Sequence, residues 1–302
     1  MDMLLFVHGL VLAIAAAACA FPVDIYILDT KICKENLFAG YVNTKNIKYD
    51  PLPGHRKLQT QNVAPYLTSA PEQDHGTNIA ALILDEIDCL KKEDVEIYDI
   101  PIASKMYSGL VADHLLDMAL CKLCEKIQQP VAKSRHSVLV LSFSIELKNV
   151  RSNENKAMIA KMTSKIRALL ERNVHVLVAA GSENVSAKYT WPAAIKGVYS
   201  IGGLMAYSFL QRKTLFRHHF YRLYTPSNYD ATFYDLACNV QVRRNEGKIS
   251  IFGTSYANAI AAGKIAAILA TVDQPIHPTD TFENLLSKIF IFDFNNQLPM
   301  LP

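Results

Sequence analysis

Three residues of complementary chemistry stand at the ends of apolar runs. Asp29 closes VDIYILD, His75 leads DHGTNIAALI, and Ser255 leads GTSYANAIAAG. A serine hydroxyl is a weak nucleophile until an imidazole takes its proton, and the imidazole needs a carboxylate to fix its tautomer. Acid, base and nucleophile are therefore all present, but so far apart along the chain that only folding can join them. Each also has an ordinary structural use: an aspartate after a strand as a turn or cap, a histidine before Gly-Thr as a cap, a serine at the start of a helix.

The elements that must position these residues alternate between short apolar runs and helical ones. VDIYILD, VEIYDI, SVLVLSFSI, HVLVAA and GVYSIGG read as strands; residues 77–90, 108–127, 155–172 and 254–270 read as helices. The alternation predicts an α/β fold, a mostly parallel central sheet with helices on both faces. Ligands in such folds gather beyond the carboxyl ends of the strands, so the site belongs in the strand-to-helix loops. Residues 43–73 and 211–229 read as long surface connections.

Composition sets the outer bounds. With 302 residues, 50% hydrophobic and 20% charged, the chain is globular. Its 31 Lys and Arg against 28 Asp and Glu leave +3 and no basic block, which argues against nucleic acid as a partner. Residues 4–20 are apolar apart from His8 and end in Ala18-Cys19-Ala20, a pattern that predicts a signal peptide over residues 1–20, a mature domain over 21–302 and secretion. Only a retained N-terminal segment would hold the chain at a membrane. Removal of Cys19 leaves Cys33, Cys89, Cys121, Cys124 and Cys238, an odd number, so at least one thiol stays unpaired. The Cys121-Lys-Leu-Cys124 pair lies in a helical run without a second pair at zinc-ribbon spacing and reads as core thiols; no metal site is assigned.

The strings around the three chemical residues resemble those of the subtilisin-like serine peptidases, in that family's chain order of Asp, His and Ser. ILDTKI resembles the aspartate motif, DHGTNIAALI the histidine motif, HVLVAAGSEN the oxyanion-loop motif and GTSYANAIAAGKIAAIL the serine motif. YSGLVADHLLDMA, LSFS, WPAAIKGVYSIGG and YDLAC resemble segments between them. The resemblance runs from Val23 to Leu269 and implies a three-layer sandwich. It further implies that Ser255 attacks a peptide carbonyl, His75 accepts and returns the proton, and Asp29 orients His75. The backbone N–H of Ser255 would serve the oxyanion, and Ser142, Phe143 and Ser144 would form the strand that a bound polypeptide extends. Gly253 would permit a tight approach to the serine helix, and Gly76 close packing beside the histidine.

The chain departs from the family pattern at several points. Ser182 stands after Ala179-Ala180-Gly181 where the family carries an asparagine, so a side-chain amide donor to the oxyanion is missing and slow turnover is expected. Asn184, two residues on, is a candidate substitute donor, and Asn184-Val185-Ser186 also fits an N-glycosylation acceptor. Lys31 replaces a family glycine; turned inward it would oppose an imidazolium, turned outward it would be harmless. Tyr256, Asn258 and Ala259 replace the usual Met, Ser and Pro. The few residues between Ala20 and Asp29 hold no recognisable prosegment, which relatives use to assist folding. Calcium is frequent in the family, but no acidic loop here matches a site, so no cofactor is assigned. Ser182, Lys31 and the missing prosegment also support a rival reading, a pseudopeptidase that keeps the fold as a protein-binding or structural module.

Overall fold

A computed structural model of the chain describes residues 22–52, 74–88, 95–103, 113–129, 134–210 and 217–270. The predicted signal peptide, most of the 43–73 connection, Cys89 and the chain beyond residue 270 lie outside the described residues.

Seven strands form the central sheet in the order β10-β8-β6-β4-β1-β3-β2. In chain order these are β1 (Val23–Thr30), β2 (Ile47–Tyr49), β3 (Val95–Ala103), β4 (His136–Leu141), β6 (Val174–Ala179), β8 (Tyr199–Leu210) and β10 (Phe233–Leu236). Every neighbouring pair among them is parallel. A further strand, β9 (Arg217–Leu223), runs antiparallel to the second half of β8. Two short pairs lie apart, β5 (Ile145–Glu146) with β7 (Thr190–Trp191) and the hairpin of β11 (Val240–Arg244) with β12 (Gly247–Ile251).

Helices cover both faces, as the alternation predicts. All eight residues of β1 are buried, because a central parallel strand has no wet side. Val23, Ile25 and Ile27 pack toward α1 (His75–Ile87) and α4 (Thr254–Leu269), whereas Tyr26 and Leu28 pack toward α2 (Asp113–Ile127) and α3 (Asn153–Leu170). With a side-chain period of two, Asp29 shares the face of Val23, Ile25 and Ile27. The carboxylate thus leaves the sheet on the side where α1 begins.

α4 is an extreme case: 14 of its 16 residues are buried. It has no polar face because α1 and strands β4, β6, β8 and β10 surround it. Each buried Ile or Leu there contributes about 1.5–3 kcal/mol relative to exposure. Lys264, the one cation in this helix, reaches Asp235 of β10 at 2.7 Å.

Some expectations need correction. The stretch 211–229 is no mere connection, since Arg217–Leu223 forms β9. Residues 43–73 likewise contain β2, and Asn43 is buried with its amide donating to the carbonyl of Ile87 at 3.3 Å. SVLVLSFSI is two strands, with Ser142–Ser144 as the uncommitted stretch between them. Of the helix thiols, Cys121 is exposed and Cys124 half-buried, so the core reading fails for Cys121. Cys33, Cys121, Cys124 and Cys238 are all free thiols.

Candidate active site

The end of β1 and the start of α1 are clasped by three bonds. The Asp29 carboxylate accepts from His75 Nδ1 at 2.8 and 3.0 Å. The N–H of Gly76 donates to Thr30 Oγ1 at 2.8 Å, and the N–H of Cys33 donates to Thr77 Oγ1 at 3.0 Å. The first donors of a helix have no partner within it, so a threonine hydroxyl at the strand end both satisfies one and fixes the helix's direction of approach. Asp29 is 1% exposed and the His75 side chain 12%, which leaves the carboxylate dry and the imidazole in slight contact with solvent.

Gly76 makes the clasp possible. A Cβ at this position would lie 2.1 Å from the carbonyl oxygen of Thr30, a backbone atom that cannot turn aside. Gly76→Ala is therefore expected to push α1 off β1 and lower stability by about 1–3 kcal/mol. Urea denaturation checks this, and an unchanged midpoint would mean the approach is looser than described. At Gly253 the requirement is different from the tight approach expected: a Cβ would meet nothing closer than 3.9 Å, but φ is 135°, a backbone state that side chains disfavour.

Ser255 stands in the first turn of α4, next to Tyr256. The ring of Tyr256 lies 5.4 Å from the His75 ring. The Ser255 hydroxyl donates to the carbonyl of Ser142 at 2.7 Å, and the Ser142 hydroxyl donates to the carbonyl of Ser255 at 3.4 Å. The serine proton is thus directed at the Ser142–Ser144 stretch rather than at His75. Asn258, one turn along α4 and fully buried, strengthens this junction by donating to Leu141 O and Ser142 Oγ at 3.4 and 3.2 Å. Phe143 packs against Trp191 with ring centroids 6.2 Å apart.

The loop after β6 lies against the start of α4 and the Ser142–Ser144 stretch. Ser182 is exposed, and its Oγ lies 3.3 Å from Thr254 Oγ1. Asn184 is also exposed, in a left-handed conformation with φ 54°, and its N–H donates to Pro226 O at 3.1 Å. Ser144 Oγ donates to the Glu183 carboxylate at 3.4 Å, tying this loop to the Ser142–Ser144 stretch.

Lys31 turns outward. It is exposed, with its ammonium 5.5 Å from the centre of the Tyr49 ring, the harmless one of its two orientations. The buried acid near Asp29 is instead Asp99 of β3, which composition and motif gave no reason to single out. It is 2% exposed, accepts from the N–H of Ile32 at 3.2 Å, and leaves Oδ1 buried with no hydrogen-bond partner among the described residues. Burial pushes its carboxyl up to about 7; the Ile32 N–H and the charge of Lys31 and Lys34 pull it down, and the charge of Asp29 pushes it up. An acid that holds its proton more tightly when folded adds stability below its ordinary value of 3.8, and that stability drains as pH rises to about 7. Asp99→Asn keeps an acceptor for Ile32 but cannot ionise. Its advantage over the parent should grow between pH 4 and 7, reach at most about 4 kcal/mol, and level off above that. Urea unfolding across this range is the check, and parallel curves for the two proteins would refute it.

Among the described residues, no group of three or more His, Cys, Asp or Glu side chains could hold a metal ion, and no helix is long and apolar enough to cross a membrane.

The parallel sheet with helices on both faces agrees with what sequence comparison finds. The model of the subtilase family, peptidase family S8, matches residues 23–288, and the chain belongs to that family. No curated protein matches its sequence. Solved structures share the fold at low identity. A cold-adapted subtilisin-like serine proteinase is 18% identical with a TM-score of 0.53, covering 86% of this chain and 81% of its own. Sphericase is 16% identical with a TM-score of 0.56, covering 86% and 83%. A lanthipeptide protease is 15% identical with a TM-score of 0.58, covering 87% and 78%.

Proposed function

We propose that this chain is a secreted serine endopeptidase that hydrolyses extended polypeptide through Asp29, His75 and Ser255. The observation that carries the reading is the bond from His75 Nδ1 to the buried Asp29 carboxylate, which fixes the imidazole with its proton on Nδ1 and leaves Nε2 as the base. Family membership supports the class of reaction, and the apolar segment 4–20 supports entry into a secretory route.

The bond between Ser255 and the Ser142 carbonyl gives the first step. An incoming peptide that pairs with Ser142–Ser144 as an added strand offers its own N–H to that carbonyl. The displaced Ser255 hydroxyl then turns to His75 Nε2, which takes its proton as Oγ attacks the substrate carbonyl. Negative charge on the carbonyl oxygen falls near the first N–H groups of α4, which have no partner within the helix. The tetrahedral intermediate collapses to an acyl-enzyme as His75 protonates the leaving amine. Water, deprotonated by His75, releases the acid and restores Ser255.

A second reading has an observation in its favour: the Ser182 hydroxyl, standing where the family carries an amide, has Thr254 Oγ1 as a hydrogen-bonding neighbour at 3.3 Å. It makes the chain a binding module without turnover. Treatment with a fluorophosphonate separates the two. Covalent label on Ser255 that requires His75 supports the peptidase, and well-folded protein that takes no label supports the module.

A further inference from the structure

Asn228 lies in the turn before β10, and no sequence motif marks it. It is 0% exposed, and the hydrogen-bonding capacity of its side chain is spent on one loop. Its Nδ2 donates to Ala180 O at 2.8 Å and to the Glu183 carboxylate at 2.9 Å. Its Oδ1 accepts from the N–H of Glu183 at 3.0 Å and of Val185 at 3.1 Å. Its backbone N–H donates to Gly181 O at 2.9 Å. Five bonds from one residue thus enclose Ser182 on both sides. The seat is firm, since neighbouring Ser227 Oγ accepts from the N–H of Gly203 in β8 at 2.8 Å.

We propose that Asn228 is a positioning residue: it templates the 180–185 loop and so fixes where Ser182 stands relative to the start of the Ser255 helix. The proposal rests on the peptidase reading. Its physical basis is preorganisation, because a donor to a developing oxyanion counts only if it is in place before the charge appears. An amide is the one side chain of this size with two donors and a two-lone-pair acceptor. Aspartate would keep the bonds from Glu183 and Val185 but lose both donated ones, and would set a second carboxylate against Glu183.

The test uses the full chain with Asn228→Asp, and the same change combined with Glu183→Gln, whose amide can donate to the new carboxylate. Amide exchange at residues 180–185 should accelerate about tenfold or more in the single variant. Turnover should fall about ten- to hundredfold with KM within about twofold, because the loop's effect falls on the transition state. The double variant should recover most of both. The gain from Ser182→Asn should also shrink to under about threefold in the Asn228→Asp background, a coupling that a purely structural role would not produce. Should Asn228→Asp lack a cooperative thermal transition, the double variant and Asn228→Ser carry the same comparisons.

Exchange at 180–185 that ignores Asn228→Asp overturns the templating whether or not Ser255 reacts. Faster exchange with kcat unchanged, or with kcat and KM moving together, overturns the catalytic consequence. A parent chain whose Ser255 never takes fluorophosphonate sinks the peptidase reading separately.

Discussion

His75→Ala and Ser255→Ala are each expected to lower turnover by about 10⁶-fold, the size of loss seen when a triad serine or histidine is removed from subtilisin. Neither should add to the other, because the two groups act as one unit. Removing His75 leaves the Asp29 carboxylate buried with, among the described residues, only the N–H of Thr30, at 2.7 Å, as a donor. His75→Ala should therefore also lose stability, and more of it than Ser255→Ala, which at a half-buried position gives up one hydrogen bond to the Ser142 carbonyl and leaves no charge unpaired. That asymmetry is a check independent of catalysis, readable by thermal unfolding. Peptide hydrolysis surviving within tenfold in either variant would mean that another group does the chemistry.

Ser182→Asn is expected to raise turnover by about tenfold or more. Loss of one side-chain donor to an oxyanion lowers turnover by about 10² to 10³ where this has been measured, and the change restores such a donor. The geometry gives the substitution room to work: Ser182 is exposed, and its only hydrogen-bonding neighbour among the described residues is Thr254 Oγ1 at 3.3 Å. A longer amide from the same Cα can reach past Thr254 toward the cleft in front of Ser255. Steady-state hydrolysis of a peptide amide is the measurement. Unchanged or lower activity would mean that this loop does not face the developing charge.

Much of this arrangement was legible in the sequence because its signals are local. The apolar run VDIYILDT reads as a buried strand, and His-Gly-Thr at the head of a helical run carries the imidazole, the glycine the clasp needs and the hydroxyl that holds Cys33. What was not legible depends on partners distant in the chain. RHHFYRL has neither the alternation nor the apolar content of a strand, and it becomes β9 only because β8 runs long enough to pair with it. Ser227-Asn228-Tyr229-Asp230 reads as a polar turn, and the role of Asn228 lies in bonds to a loop far earlier in the chain. Asp99 sits inside an apolar strand with nothing nearby in sequence to show that its neighbour across the sheet would be the end of β1. The two orientations of Lys31 could be separated only by finding Tyr49 beneath its ammonium.

The burial of α4 has a consequence for how such a protein comes into being. Asp29 and His75 sit on β1 and α1, elements that emerge early from the ribosome and meet across a separation of 46 residues. Ser255, the proposed nucleophile, is carried by the last described helix, whose own residues make up much of the core and which has almost no face left for solvent. Until that helix packs, the polypeptide holds an imidazole and a carboxylate but nothing to attack with. On the proposed reading, hydrolytic competence is thereby tied to completion of the interior, and a partly assembled copy exposes apolar surface before it can cleave anything.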